Sequence, residues 1–90
     1  MHHYRGKLLQ GDKVRLDPAN VYIDFRSTGV DPASGWTGYL LVGSDKDVVP
    51  GETYTLRLVD GRSGELRIDT FAPDDSDKVR ALFVGQGSMT

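Results

Sequence analysis

Between Trp36 and Phe83, short runs of strand-forming residues are broken by glycine or proline at nearly every place where the chain can turn. The longest stretch free of both residues is 74–84. No segment repeats apolar residues with the 3.6-residue period of a helix, and there are no heptads. The runs are instead rich in Val, Ile, Tyr, Phe, Thr and Leu, the residues that fit a pleated, half-buried surface.

Seven runs follow one another: Tyr4–Leu9, Lys13–Leu16, Val21–Phe25, Trp36–Val42, Thr53–Val59, Glu65–Phe71 and Val79–Val84. Alternation assigns their faces. Val21, Ile23 and Phe25 share one face, with Tyr22 and Asp24 on the other. Trp36, Gly38, Leu40 and Val42 point together, as do Tyr54, Leu56 and Leu58, and Leu66 with Ile68. Asp17-Pro18-Ala19-Asn20 reads as a break between two strands. Ser27–Gly35 and Gly43–Asp47 read as loops, and Ala72–Asp77 as an acidic turn, with a short helix within 72–80 as its rival. This pattern predicts an all-β domain, a small barrel or sandwich of six to seven short, mostly antiparallel strands. One domain spans 1–90, with an ordered core over about 4–85 and a flexible tail at 86–90.

Two segments echo each other. Tyr4-Arg5-Gly6-Lys7-Leu8-Leu9, followed by a run from Gly11 to Leu16, resembles Trp36-Thr37-Gly38-Tyr39-Leu40-Leu41, followed by a run from Gly51 to Leu56. Read as a duplication, the echo predicts two similar hairpins. The glycines inside these strands read as points where backbones approach closely.

One hairpin can be given a register. Asp60-Gly61 and Ser63-Gly64 both favour positive-φ turns. A five-residue loop from Asp60 to Gly64 places Leu58 opposite Leu66 and Leu56 opposite Ile68, whereas a four-residue loop turns Arg67 into the core. The five-residue register sets Arg57 opposite Arg67 on the outer face. Two arginines can hold a phosphate or carboxylate, with Arg62 on the loop and Arg80 on the last strand as possible additions.

The chemistry available is narrow. The chain has no cysteine, so disulfides, thiolate metal sites and cysteine nucleophiles are excluded. The only histidines are His2 and His3, at an end expected to fray, so no placed general base and no zinc site are expected. Asp45/Asp47 and Asp74/Asp75/Asp77 lack the pattern of a calcium-binding loop. Gly35-Trp36-Thr37-Gly38-Tyr39 lacks the lysine and helix of a phosphate-binding loop. No enzyme activity, metal or cofactor is expected. The net charge of −2 argues against nucleic acid and anionic membranes as partners. No apolar run approaches the ~20 residues of a membrane span, and no signal-peptide apolar region is seen. With cysteine absent, a cytoplasmic setting is expected.

Val49-Pro50-Gly51-Glu52-Thr53-Tyr54 resembles the turn leading into a strand of Ig-like sandwiches, where Pro-Gly precedes a corner tyrosine, with Gly51 and Tyr54 one residue off the usual spacing. That resemblance implies a corner at Tyr54 and no function. Asp31-Pro32-Ala33-Ser34-Gly35 does not have the turn spacing of the cyclic-dinucleotide-binding PilZ barrels, and Arg5 lacks the arginine partner of that family.

The reading that remains is a non-enzymatic binding module that meets a protein partner or forms a homo-oligomer through edge strands and exposed aromatics. Tyr22 and Tyr39, opposite the apolar faces of their strands, and Trp36, the one tryptophan, are the aromatic candidates. The alternative is a small anionic ligand or nucleotide held by Arg57 and Arg67, with Arg62.

Overall fold

The computed structural model describes residues 2–26, 35–43, 48–75 and 77–87, with backbone alone at 25 and 26. Six strands are present: β1 (His2–Gln10), β2 (Lys13–Arg26), β3 (Gly35–Val42), β4 (Thr53–Leu58), β5 (Ser63–Pro73) and β6 (Val79–Gln86). Every neighbouring pair is antiparallel, and the order β1-β2-β3-β6-β5-β4 closes on itself as β1 pairs with β4. The fold is a small β-barrel, not a sandwich. Closure leaves no terminal strand in the ring, which removes the edge-strand route to self-association expected above.

The two-residue period decides what fills the interior. Leu8, Val21, Ile23, Leu40, Val42, Leu56, Leu66 and Ile68 are fully or almost fully buried, with Trp36 and Phe83 among them. A fully buried aliphatic or aromatic side chain of this size contributes about 1.5–3 kcal/mol. Trp36 meets Phe83 edge-on, with ring centroids 5.7 Å apart, and its Nε1–H donates to the Gly87 carbonyl at 2.8 Å. Gly85 lies directly against the indole, where a Cβ would overlap the ring.

Two strands expected to be separate are one. β2 runs from Lys13 through the cis Asp17-Pro18 bond to Arg26. Proline has no N–H to give a ladder, but a bulge leaves a residue unpaired. Gly6 pairs with Ala19 and Leu8 with Leu16, so Asp17 and Pro18 together face the single residue Lys7. The bulge takes in the proline without ending the strand.

The β4–β5 hairpin has a shorter loop than the five-residue one expected. Leu58 O accepts the Gly61 N–H at 3.0 Å, and Leu58 N–H donates to Arg62 O at 2.8 Å. Val59, Asp60 and Gly61 form the loop, with Gly61 at φ +99°. This is a three-residue turn closed by a residue in left-handed conformation. Gly64 does not turn; it pairs with Leu56 inside the sheet. Arg57 therefore faces Ser63 and Arg67 faces Thr53, so the two arginines are not opposite each other. The expected inward faces survive because the register moves by four residues, an even number.

The echoed segments do not make two hairpins. β1 pairs with β2, but β3 pairs with β2 and β6 while β4 pairs with β1 and β5. What they do share is the glycine. A Cβ on Gly6 would overlap the Arg57 carbonyl, and one on Gly38 would overlap the Tyr22 carbonyl. At both points neighbouring backbones come closer than a side chain permits.

The corner at Tyr54 is present on this barrel. Val49 to Glu52 make a turn with Gly51 at φ +89° and Glu52 N–H donating to Val49 O at 3.2 Å, the arrangement of Pro then Gly in a type II turn. The Tyr54 hydroxyl oxygen accepts the Val49 N–H at 2.9 Å. Among the described residues of 72–80 there is no helix: β5 continues to Pro73 and β6 begins at Val79. Of the expected loops Ser27–Gly35 and Gly43–Asp47, Gly35 instead opens β3, while 27–34 and 44–47, with Asp45 and Asp47, lie outside the described residues.

Candidate functional site

Val21 and Ile23 are buried, so Tyr22 between them points outward; Tyr39 points outward beside buried Leu40 for the same reason. The β2–β3 register sets Tyr22 directly opposite Tyr39, and the β1–β2 register sets His3 opposite Tyr22. Directly opposed side chains on one face are close enough to interact. The tyrosine rings stack with centroids 4.9 Å apart and planes 21° from parallel. His3 lies 4.9 Å from Tyr22 at 36°, and its Nε2 bonds to Asn20 Oδ1 at 3.1 Å. On the far side, the Arg80 guanidinium sits 4.6 Å from the centre of the Tyr39 ring.

The result is a row across four neighbouring strands: His3 on β1, Tyr22 on β2, Tyr39 on β3 and Arg80 on β6. Its end is pinned by Asp74, whose Oδ1 accepts the Arg80 Nε–H at 2.8 Å. Donating this hydrogen bond to Asp74 raises the Arg80 pKa above its ordinary value, with smaller support from the neighbouring Tyr39 and acidic charges. The guanidinium over Tyr39 is thus held in place by the Asp74 carboxylate. Beside the row is an open hollow of about 230 Å³ lined by residues including Thr37, Tyr39, Leu82 and Val84. Asp69 also lines it, carried there by a bulge in β5 between Ile68 and Thr70.

Of the residues singled out from sequence, Tyr22, Tyr39 and Arg80 are brought together, Arg80 beside Tyr39 and away from Arg57 and Arg67. Trp36 is 1% exposed and belongs to the core, which removes it as a surface anchor. Arg62 is engaged at the hairpin tip: it forms an ion pair with Asp60 at 2.8 Å and lies 5.0 Å from the Tyr4 ring centre. Arg57 and Arg67 are both exposed, but their strand partners keep them apart. His3, set aside as part of a fraying end, is in β1 and completes the row. Arg80, expected to extend an arginine site, instead joins the tyrosines, because β6 lies beside β3; for His3, only the pairing of β1 with β2 places it.

Among the described residues no group of three His, Cys, Asp or Glu side chains is placed to hold a metal. No helix among them is long and apolar enough to cross a membrane. The chain matches no family model, no curated protein and no solved structure.

Proposed function

We propose that this barrel is a binding module rather than an enzyme, and that it meets a protein, another chain or a second copy of itself, through the outer face built on Tyr22 and Tyr39. The observation that carries this reading is the stack itself. Tyrosine, tryptophan and arginine dominate the energetics of protein interfaces, and here two tyrosines and an arginine are already packed against one another. Side chains fixed before binding lose less entropy on binding, about 0.5–1.5 kcal/mol less for each one immobilised in advance. The adjoining hollow, with Leu82 and Val84 in its lining, offers an apolar recess for a partner side chain. Single-stranded nucleic acid fits this face less well. Stacking platforms for it sit in a positive groove, whereas Arg80 is already neutralised by Asp74 and the chain carries a net charge of −2.

Selection of displayed peptides against the full chain, with counter-selection on a Tyr22→Ser/Tyr39→Ser variant, tests the reading alongside sedimentation over a wide concentration range. The expected result is peptide binding or self-association that the double variant loses, with amide shifts at His3, Tyr22, Tyr39 and Arg80. Binding or association that the double variant retains in full contradicts it.

A further inference from the structure

The β1–β4 seam, on another part of the barrel wall, carries a different arrangement. Lys7 and Arg57 are directly paired across it. Like charges directly opposite each other destabilise a sheet. Among the described residues no carboxylate lies within ion-pair distance of Lys7, of Arg57 or of Arg5 one outward position away. Beside the pair is an open hollow of about 290 Å³, lined by Gly6, Lys7, Asp17, Arg57, Leu58 and Val59. Its shape has two structural causes. Gly6 has no side chain and brings the β4 backbone in close. The bulge at Asp17-Pro18 sets Asp17 across from Lys7 on the β2 side.

The geometry points to a binding site here for a small phosphate monoester with a hydroxyl-bearing organic group. Lys7 and Arg57 supply two cations to one phosphate, the arginine able to bond two of its oxygens at once. Asp17 lies at the edge of the same hollow, where its carboxylate would repel a bare anion but accept hydrogen bonds from hydroxyl groups. Val59, 78% exposed, gives an uncovered apolar wall for the carbon skeleton. An anion between the two cations also removes their repulsion, so binding and barrel stability are coupled. The pair therefore costs the free protein stability that the complex recovers.

The test is an amide-shift titration of the full chain at constant ionic strength with ribose 5-phosphate, inorganic phosphate and ribose. Ribose 5-phosphate is expected to give saturable shifts at Gly6, Lys7, Arg57 and Val59, inorganic phosphate to bind more weakly, and ribose to do nothing. Arg57→Gln and Lys7→Gln are each expected to weaken ribose 5-phosphate roughly tenfold or more, the loss of one charge-assisted contact, while Arg67→Gln leaves it unchanged. Without ligand, Arg57→Gln is expected to raise the melting temperature by roughly 1–5 °C. Absence of saturable shifts overturns the proposal, as does undiminished binding by Arg57→Gln. Equal affinity for inorganic phosphate overturns the assignment to a monoester. A lower melting temperature in Arg57→Gln overturns the claim that the pair is strained.

Discussion

Replacing Gly38 by alanine adds one methyl group at the tightest point beneath the tyrosine row. That carbon would stand 2.9 Å from the Tyr22 carbonyl carbon and 3.1 Å from Ile23 Cα, and closer still to the Tyr22 oxygen. Ordinary contacts between carbon and a carbonyl oxygen begin at about 3.3 Å. The obstacle is backbone in a paired strand, so no side chain can swing aside; β2 must move away from β3. Overpacking of this kind costs about 1–3 kcal/mol. Weakening the two ladder bonds that flank the Gly38–Ile23 pair adds about 0.5–1.5 kcal/mol each. Alanine returns about 0.5–1 kcal/mol through the entropy of the unfolded chain. The net loss is about 3 kcal/mol, a large part of the ~5–13 kcal/mol available to a chain of this length. The melting temperature should fall by roughly 12–24 °C. Gly11→Ala is the control: Gly11 has φ +61° and open space around it, so only the ~1–2 kcal/mol penalty of a left-handed residue applies. Urea unfolding followed by the fluorescence of buried Trp36 measures both variants. If Gly38→Ala is no more destabilising than Gly11→Ala, the strands do not meet as described and the Tyr22–Tyr39 stack loses its support.

Tyr54→Phe removes the acceptor of the Val49 N–H and should cost about 1–2 kcal/mol in urea unfolding, with no change in the strand content seen by circular dichroism. Trp36→Ala empties the space above Gly85 and beside Phe83; a loss of about 3–5 kcal/mol is expected in the same assay. At the β4–β5 tip, the side-chain and backbone hydrogen bonds from Arg62 hold the Asp60 carboxyl below the usual carboxylate range. A lowered folded-state pKa stabilises the fold above the unfolded pKa, and that contribution is lost as pH falls through the folded value. Carboxyl carbon shifts followed through the acid range should therefore show Asp60 titrating at higher pH in Arg62→Gln than in the parent protein.

Local rules carried the sequence a long way. The alternation in Trp36–Val42, Thr53–Leu58 and Leu66–Ile68 assigns the buried face of three strands without error, because burial on one side repeats every two residues. It cannot fix a register, since a slip of an even number of residues keeps every face. That is why parity excludes a four-residue β4–β5 loop yet does not separate the five-residue loop from the observed one. Both Asp60-Gly61 and Ser63-Gly64 look like turns, and only the hydrogen bonds of Leu58 select the first. Pro18 misled for the opposite reason. Its missing N–H matters only where a ladder bond is due, and the bulge opposite Lys7 requires none.

The two candidate surfaces depend on pairings between strands distant in sequence. Tyr22 meets Tyr39 because β2 lies beside β3, and Arg80 reaches Tyr39 because β6 lies beside β3. Lys7 meets Arg57 because the barrel closes between β1 and β4. No local pattern in Tyr4–Leu9 or Thr53–Val59 encodes that closure. Local pairing points to Arg67 on the adjacent hairpin strand as the partner of Arg57, but the cation that faces it is Lys7 on β1.

Cross-strand proton contacts in isotope-labelled protein test ring order and register together, and both surfaces rest on these. The predicted contacts join Tyr22 with Tyr39, Lys7 with Arg57, and Thr53 with Arg67. Contacts between Arg57 and Arg67, or none between β1 and β4, would contradict the closed barrel and dissolve both surfaces.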